Sequence, residues 1–294
     1  MASVQSDVLE ITYLDIGERA IAPVILLHGW PDAARSWTLI ANALVAAVRR
    51  VLIPDLRGSG NTRFLDESIP RDGTAVALAT DALDLADALQ LDQFAVVGHD
   101  WGARTAYTLA ALVPQRLTSI TALALAYQPR GRFTMPNLPQ AQRLWYQWLM
   151  YVDAGVAAIA ADPVAFARRQ WDTWSPPGWF DEAEFAETAK SFRHPDWVGV
   201  TLTAYRSRFR TSEPLDPRYD DLRTRLDEVE HLTVPTMMIQ GASDFCDAPE
   251  ESEGLDEYFD SYRRILLDGV GHFPHREAPT PVAQLVLHHL NGNN

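Results

Sequence analysis

The 294 residues predict an α/β fold, a mostly parallel sheet flanked by helices with an inserted helical cap. Three observations carry that prediction. Short apolar runs alternate with helical patterns at both ends of the chain, as βαβ units require. Several of those runs are continuously apolar, as buried strands are. Between about residues 129 and 216 the runs stop and aromatic residues crowd in, which reads as a helical insertion.

Val8–Leu14 reads as an early, half-exposed strand, and Pro23–Leu27 as a buried one ending at His28-Gly29-Trp30-Pro31. Arg50–Pro54 is another buried strand, stopped by the turn-rich Asp55-Leu56-Arg57-Gly58-Ser59-Gly60. Val76, Ala79, Ala82, Leu83, Ala86 and Leu89 recur at helical spacing and predict an amphipathic helix over Ala75–Leu91. Phe94–Gly98 is the next strand, Ala103–Val113 the next helix, and Leu117–Ala126 a further strand rich in small and β-branched residues. Within the aromatic segment Ala157–Ala161 and Pro163–Trp171 look helical. Strand patterns return at Thr233–Gln240 and Arg263–Leu267, and Pro281–Leu290 predicts a terminal helix. The expected division is a core of residues 1–128 and 217–294 with a cap of residues 129–216.

Hydrophobic residues make up 47% and charged residues 22%, a globular composition. The formal net charge of −14 repels phosphate backbones and anionic lipid, which argues against nucleic-acid and membrane partners. It also removes long-range steering of an anionic substrate, although a local cationic pocket can still hold one. Cys246 is the single cysteine, so no intrachain disulfide forms. With no basic, apolar leader and no apolar run of about 18 residues, the expected location is the cytoplasm. The expected partners are a small apolar organic substrate and at most a second copy of the chain, as a homodimer.

Gly98-His99-Asp100-Trp101-Gly102 follows a short buried strand and precedes an Ala-rich helix. That is the setting of a nucleophile elbow, usually G-x-S-x-G, whose turn is too sharp for side chains at the glycine positions. The central residue is then presented at a helix N-terminus, where backbone N–H groups stabilise negative charge. Here it is an aspartate. A carboxylate attacking an ester gives only a mixed anhydride. Attacking a saturated carbon that bears a leaving group, it gives a covalent alkyl ester. Asp100 therefore points to displacement at an sp³ carbon.

Hydrolysis of such an ester needs an activated water. His272, in Gly269-Val270-Gly271-His272-Phe273, lies between the last strand and the last helix, where the chain order nucleophile, acid, histidine puts the base. His275 is its rival. The orienting acid should follow an intervening strand end, which Gly241-Ala242-Ser243-Asp244 satisfies, with Asp247 as the fallback. Thr121–Gln128, spanning the end of the earlier strand, holds no carboxylate. Asp244 would fix the imidazole tautomer and stabilise the imidazolium. The backbone N–H groups of Trp30 and Trp101 are the candidate oxyanion hole. His28 and His99 are expected to shape the backbone, and His288 and His289 to face solvent. No metal-ligand spacing occurs, and neither metal nor organic cofactor is expected.

Together these segments resemble the epoxide hydrolases of the α/β-hydrolase fold, whose framework the haloalkane and haloacetate dehalogenases share. The resemblance spans essentially the whole chain. It implies two cap tyrosines that protonate the epoxide oxygen: Tyr205, in Thr203-Ala204-Tyr205-Arg206, and Tyr146, in Leu144-Trp145-Tyr146-Gln147, with Tyr151 as the alternative to Tyr146. Trp30, Trp101, Trp145, Trp148, Tyr151 and Phe273 are the expected substrate contacts. A halide would need N–H donors instead. Haloalkane dehalogenases pair a Trp after the nucleophile, matched by Trp101, with an Asn where this chain has Trp30. Haloacetate dehalogenases place one arginine directly after the nucleophile and a second three residues later; Arg104 matches the second and Trp101 replaces the first. The expected reaction is epoxide opening to a vicinal diol. Dehalogenation on the same machinery is the alternative, and a non-catalytic ligand-binding relative is the last reading.

Overall fold

The apolar runs assemble into one sheet. The computed structural model describes residues 1–18, 23–209 and 213–292. Its strands are β1 (Ala2–Gln5), β2 (Leu9–Ile16), β3 (Val24–Leu27), β4 (Val51–Pro54), β5 (Arg63–Phe64), β6 (Phe94–His99), β7 (Leu117–Leu123), β8 (Thr236–Gly241) and β9 (Tyr262–Leu267). The order across the sheet is β1-β2-β4-β3-β6-β7-β8-β9, with the two-residue β5 paired to β2. β1 and β2 run antiparallel to their neighbours, and every pairing from β4 to β9 is parallel.

Both faces of β3, β4, β6 and β8 are covered, which is why these strands read as largely apolar runs. Side chains alternate along β3. Val24 and Leu26 pack with Trp37, with α1 (Thr38–Ala46) through Ile40 and Leu44, and with Val282 and Val286 near the C-terminus. Ile25 and Leu27 face the other way, onto α2 (Ala75–Ala88) and α3 (Trp101–Leu112). β2 alternates buried and exposed positions, the half-exposed strand expected of Val8–Leu14.

Between β7 and β8 the chain leaves the sheet for six helices: α4 (Leu138–Arg143), α5 (Trp145–Leu149), α6 (Asp153–Ala161), α7 (Pro163–Thr173), α8 (Glu182–Phe192) and α9 (Trp197–Arg206). Polar residues start several of them. Asp162, before Pro163, accepts from Ala165 N–H, and Asp181 accepts from Glu184 N–H. The aromatic residues of this insert bury Trp171, Trp174, Phe192 and Tyr205 completely. Residues 210–212 of the expected cap lie outside the described residues. The chain then returns through α10 (Asp220–Asp227), and α11 (Pro274–Glu277) and α12 (Pro279–Leu290) close the fold.

Residues for which the sequence predicts no element form the edge strand β1, in which only Val4 is part-buried. Two local expectations are corrected. The helix after the elbow begins at Trp101 and not at Ala103. His289 is buried and meets the Ile120 carbonyl through Nε2 at 3.1 Å, so only His288 faces solvent. Among the described residues no helix is long and apolar enough to cross a membrane.

Candidate active site

The turn between β6 and α3 places Asp100 at φ 50°, ψ −109°, in the left-handed region that side chains disfavour. The flanking glycines are sterically required. A Cβ on Gly98 would stand 2.0 Å from the Gly102 carbonyl oxygen, and one on Gly102 2.0 Å from that of Leu27. Asp100 N–H donates to Leu123 O at 3.1 Å, and Asp100 O accepts from Arg104 N–H at 3.0 Å, so sheet and helix both hold the strained residue. The carboxylate is buried. Its Oδ1 accepts the Trp30 N–H at 2.8 Å, and its Oδ2 lies 3.8 Å from His272 Nε2.

His272 sits in the loop after β9, fully buried, with Nδ1 2.9 Å from Asp244 Oδ2. Asp244 follows the end of β8, and its Oδ1 accepts the N–H groups of Cys246 and Asp247. Burial by itself depresses the His272 imidazole, but the Asp244 charge and the contacts with both carboxylates outweigh it and push it up to about 10. The rival His275 is occupied elsewhere. Its Nε2 is 3.2 Å from Asp32 Oδ2, and the Arg276 guanidinium binds the same carboxylate. Asp247, the fallback acid, makes no hydrogen bond to His272; its carboxylate accepts from Ala126 N–H and Gln140 Nε2.

Two of the insert's tyrosines converge on the elbow. Tyr205 accepts the Trp101 indole N–H at 3.1 Å. Tyr146 meets Tyr205 edge-on with ring centroids 5.5 Å apart, and its hydroxyl accepts from Gln147 Nε2 at 3.1 Å. Burial, then the Asp100 charge, raises Tyr205 far above the ordinary phenol value, and burial likewise raises Tyr146, so both stay protonated at neutral pH. The Trp30 indole stands among them, stacked on Trp101 and Tyr146 and edge-on to Tyr205, with its own N–H donated to Thr201 Oγ1 at 2.9 Å.

The remaining expected contacts are placed differently. Tyr151 spends its hydroxyl on the Tyr205 and Arg206 carbonyls, which leaves Tyr146 as the phenol beside Tyr205. Trp148 donates its indole N–H to Ala141 O and packs on Phe209, so it offers no donor for a halide. Trp145 is partly exposed and lies edge-on to Tyr146 and Phe166. Phe273 is buried and stacked on Trp179 at 4.4 Å, with its edge toward His272, a packing position beneath the histidine loop.

Sequence reasoning missed the residues that hold this arrangement. Ser175 accepts the His272 N–H at 2.9 Å and donates to Glu277, which also receives the Gly271 and Phe273 N–H groups. Trp174 lies edge-on to His272 at 4.8 Å, its indole N–H buried without a partner among the described residues. Neither serine nor glutamate carries a spacing signal, since Ser175 belongs to the insert and meets the loop from 97 residues away. His99, Asp32 and His275 bring three possible ligand atoms within 4.8 Å of one another. The Arg276 guanidinium already neutralises Asp32, so this cluster is filled by its own cation.

A strained acid at the elbow, a buried His–Asp pair across from it and a helical insert above define the class. The chain belongs to the α/β hydrolase fold family, whose model matches residues 22–279. It is similar to an epoxide hydrolase candidate of known structure from Klebsiella pneumoniae, with 37% identity over 97% of this chain and 95% of that one and a TM-score of 0.90. Epoxide hydrolase B of Mycobacterium tuberculosis is 26% identical over 92% of this chain and 91% of its own. Epoxide hydrolase A of Mycobacterium thermoresistibile, of known structure, is 25% identical over 99% and 98%, with a TM-score of 0.80.

Proposed function

We propose that this chain is an epoxide hydrolase that opens a small organic epoxide to a vicinal diol through an ester on Asp100. The observation that carries the reading is the pair of buried phenols, Tyr205 and Tyr146, set edge-on beside an elbow whose nucleophile is a carboxylate. The division into a core (residues 1–128 and 217–294) and a cap (residues 129–216) belongs to the same proposal, because the cap supplies those phenols.

In the first half an Asp100 oxygen attacks one epoxide carbon, the ring C–O bond breaks, and the alkoxide takes a proton from Tyr205 or Tyr146. Accepting the Trp101 N–H fills one lone pair of Tyr205 and leaves its own proton free for the substrate oxygen. A proton released by His272 restores the phenol. In the second half His272, oriented by Asp244, takes a proton from water as its oxygen adds to the ester carbonyl. The oxyanion is held by the backbone N–H of Trp30, already 2.8 Å from Asp100 Oδ1, and by the backbone N–H of Trp101. The adduct's remaining hydroxyl proton passes to the departing alkoxide, and the diol leaves Asp100 ionised and His272 protonated.

A dehalogenase would use the same Asp100, His272 and Asp244. It is the weaker reading because the Trp101 indole N–H it would aim at a halide is given to Tyr205. Styrene oxide, a haloalkane and a haloacetate separate the readings when diol and free halide are measured against Asp100→Ala. Diol from the epoxide alone, lost in the variant, is the expected result. Halide without diol overturns the proposal, and inertness toward all three favours a ligand-binding relative.

A further inference from the structure

The proposed reaction leaves a cavity of about 410 Å³ unused beside Tyr205, between the start of α2, α3 and the end of α9. Among the described residues five arginines line it, Arg104, Arg130, Arg132, Arg208 and Arg223, against a single acidic residue, Asp227. In a protein of net charge −14 that concentration of cations needs a reason. Three of the five are neutralised by the protein itself. Arg130 pairs with Glu230, Arg132 with Asp227, and Arg223 with Asp72 and Asp220.

Arg104 and Arg208 are not. Among the described residues neither meets a carboxylate, and the Nε of each is buried without a hydrogen-bond partner. Arg208 lies 4.5 Å from the Tyr205 ring centroid and 5.3 Å from that of Phe133, and donates to Gln147 Oε1 at 3.1 Å. Burial, and then the Arg208 charge, push Arg104 down to about 10, so the guanidinium is still charged at neutral pH. Two unneutralised guanidiniums at one cavity repel each other, and an anion shared between them removes that repulsion while pairing their free N–H groups.

We propose that this cavity binds a small organic carboxylate between Arg104 and Arg208. The carboxylate is either the tail of the substrate or a separate molecule, and two features favour the tail. Arg104 stands one helical turn along α3 from Asp100. A hydrogen-bonded path also runs from Arg208 through Gln147 Oε1 and Nε2 to the Tyr146 hydroxyl, so the cavity and the proposed proton donor share one network. The second cation comes from the end of the insert, from a residue that no motif marks. The tail assignment rests on the epoxide hydrolase reading; the anion site itself does not.

Binding is measured by calorimetry on Asp100→Asn, with benzoate against neutral benzamide. The expected result is benzoate binding without benzamide binding, weakened about ten- to a hundredfold by Arg208→Gln and by Arg104→Gln. Equal binding of the amide, or benzoate affinity that survives both substitutions, overturns the proposal. Should Arg104→Gln fail to fold, Arg208→Gln and displacement of benzoate by inorganic phosphate decide the matter. Turnover of a phenylglycidate against its methyl ester then identifies the source. A KM at least about tenfold lower for the acid, lost in Arg208→Gln, establishes the substrate tail. Equal KM values with benzoate binding intact establish a separate carboxylate. If no epoxide is turned over while benzoate still binds through both arginines, the reaction proposed above fails and the anion site stands.

Discussion

Tyr205→Phe tests the proton donor with little disturbance of packing. Phenylalanine keeps the ring, and with it the edge contacts to Trp30 at 5.1 Å and to Tyr146 at 5.5 Å. One hydroxyl is lost, and with it the acceptor of the Trp101 indole N–H at 3.1 Å. Leaving that buried donor unpaired costs about 1–3 kcal/mol, which lowers Tm by about 2–4 °C per kcal/mol in a chain of this size. Removing a general acid slows its step by roughly 10²–10⁴. Because Tyr146 remains, the lower end applies, about 10², which corresponds to about 2.7 kcal/mol. Stopped-flow tryptophan fluorescence under single-turnover conditions, with the ester quantified by quench and mass spectrometry, separates the two halves of the reaction. The slowing should fall on ester formation and leave ester hydrolysis within a few-fold, since His272 and Asp244 are untouched. If hydrolysis slows while ester formation does not, the phenol has been given the wrong role.

In His272→Gln the alkyl ester should accumulate on Asp100 as a stable mass adduct; free enzyme with steady diol release would place the base elsewhere. Gly98→Ala puts a methyl 2.0 Å from the Gly102 carbonyl and should cost about 3 kcal/mol or more, read from the urea midpoint, and an unshifted midpoint would mean that the turn is looser than described. Burial and the Asp244 charge push the Asp247 carboxyl up to about 7, so the folded state holds its proton more tightly than the unfolded chain. Its contribution is present below about pH 3.8 and is lost as the pH rises to about 7, so Asp247→Asn should flatten the fall in Tm between pH 5 and 8; an unchanged slope assigns that fall to another group. Ser175→Ala removes the acceptor of the His272 N–H and should slow ester hydrolysis more than ester formation, whereas equal slowing denies Ser175 a positioning role.

What the sequence makes legible is whatever a short stretch must do alone. The elbow announces itself because Gly98 and Gly102 cannot be anything larger, and β3 because Val24 to Leu27 are covered on both faces. His272 and Asp244 follow from chain order, since the strands they terminate are adjacent in the sheet. Partners that meet across the fold leave no such mark. Ser175 reaches the histidine loop from the insert, and Arg208 meets Gln147 across 61 residues. Tyr146 and Tyr151 are equally plausible by spacing, and they part only because Tyr151 can tie down the carbonyls at the end of α9. His289 is hidden from the sequence for a related reason: a polar residue on the inner face of a terminal helix is buried once a strand carbonyl is there to pair with it.

The use of aspartate at the elbow also decides when His272 carries charge. In the unreacted site two carboxylates flank one imidazole, Asp244 at 2.9 Å and Asp100 at 3.8 Å, and together they hold it protonated up to about pH 10. At neutral pH it is then no base, and the proposed attack by a carboxylate calls for none. In the proposed reaction, ester formation abolishes the Asp100 charge and its contact with Nε2 together. That leaves the Asp244 charge and its hydrogen bond to Nδ1 against burial, and the loss of the Asp100 terms lowers the ring's hold on its proton. Each lost unit of proton affinity is worth 1.36 kcal/mol, so a shift of about three units suffices to free the base at neutral pH. In the proposed reaction the imidazole would give up its proton when there is an ester to hydrolyse and regain one when hydrolysis restores the carboxylate. A serine at position 100 would bring no charge to the resting site, and the histidine would have to be neutral from the start.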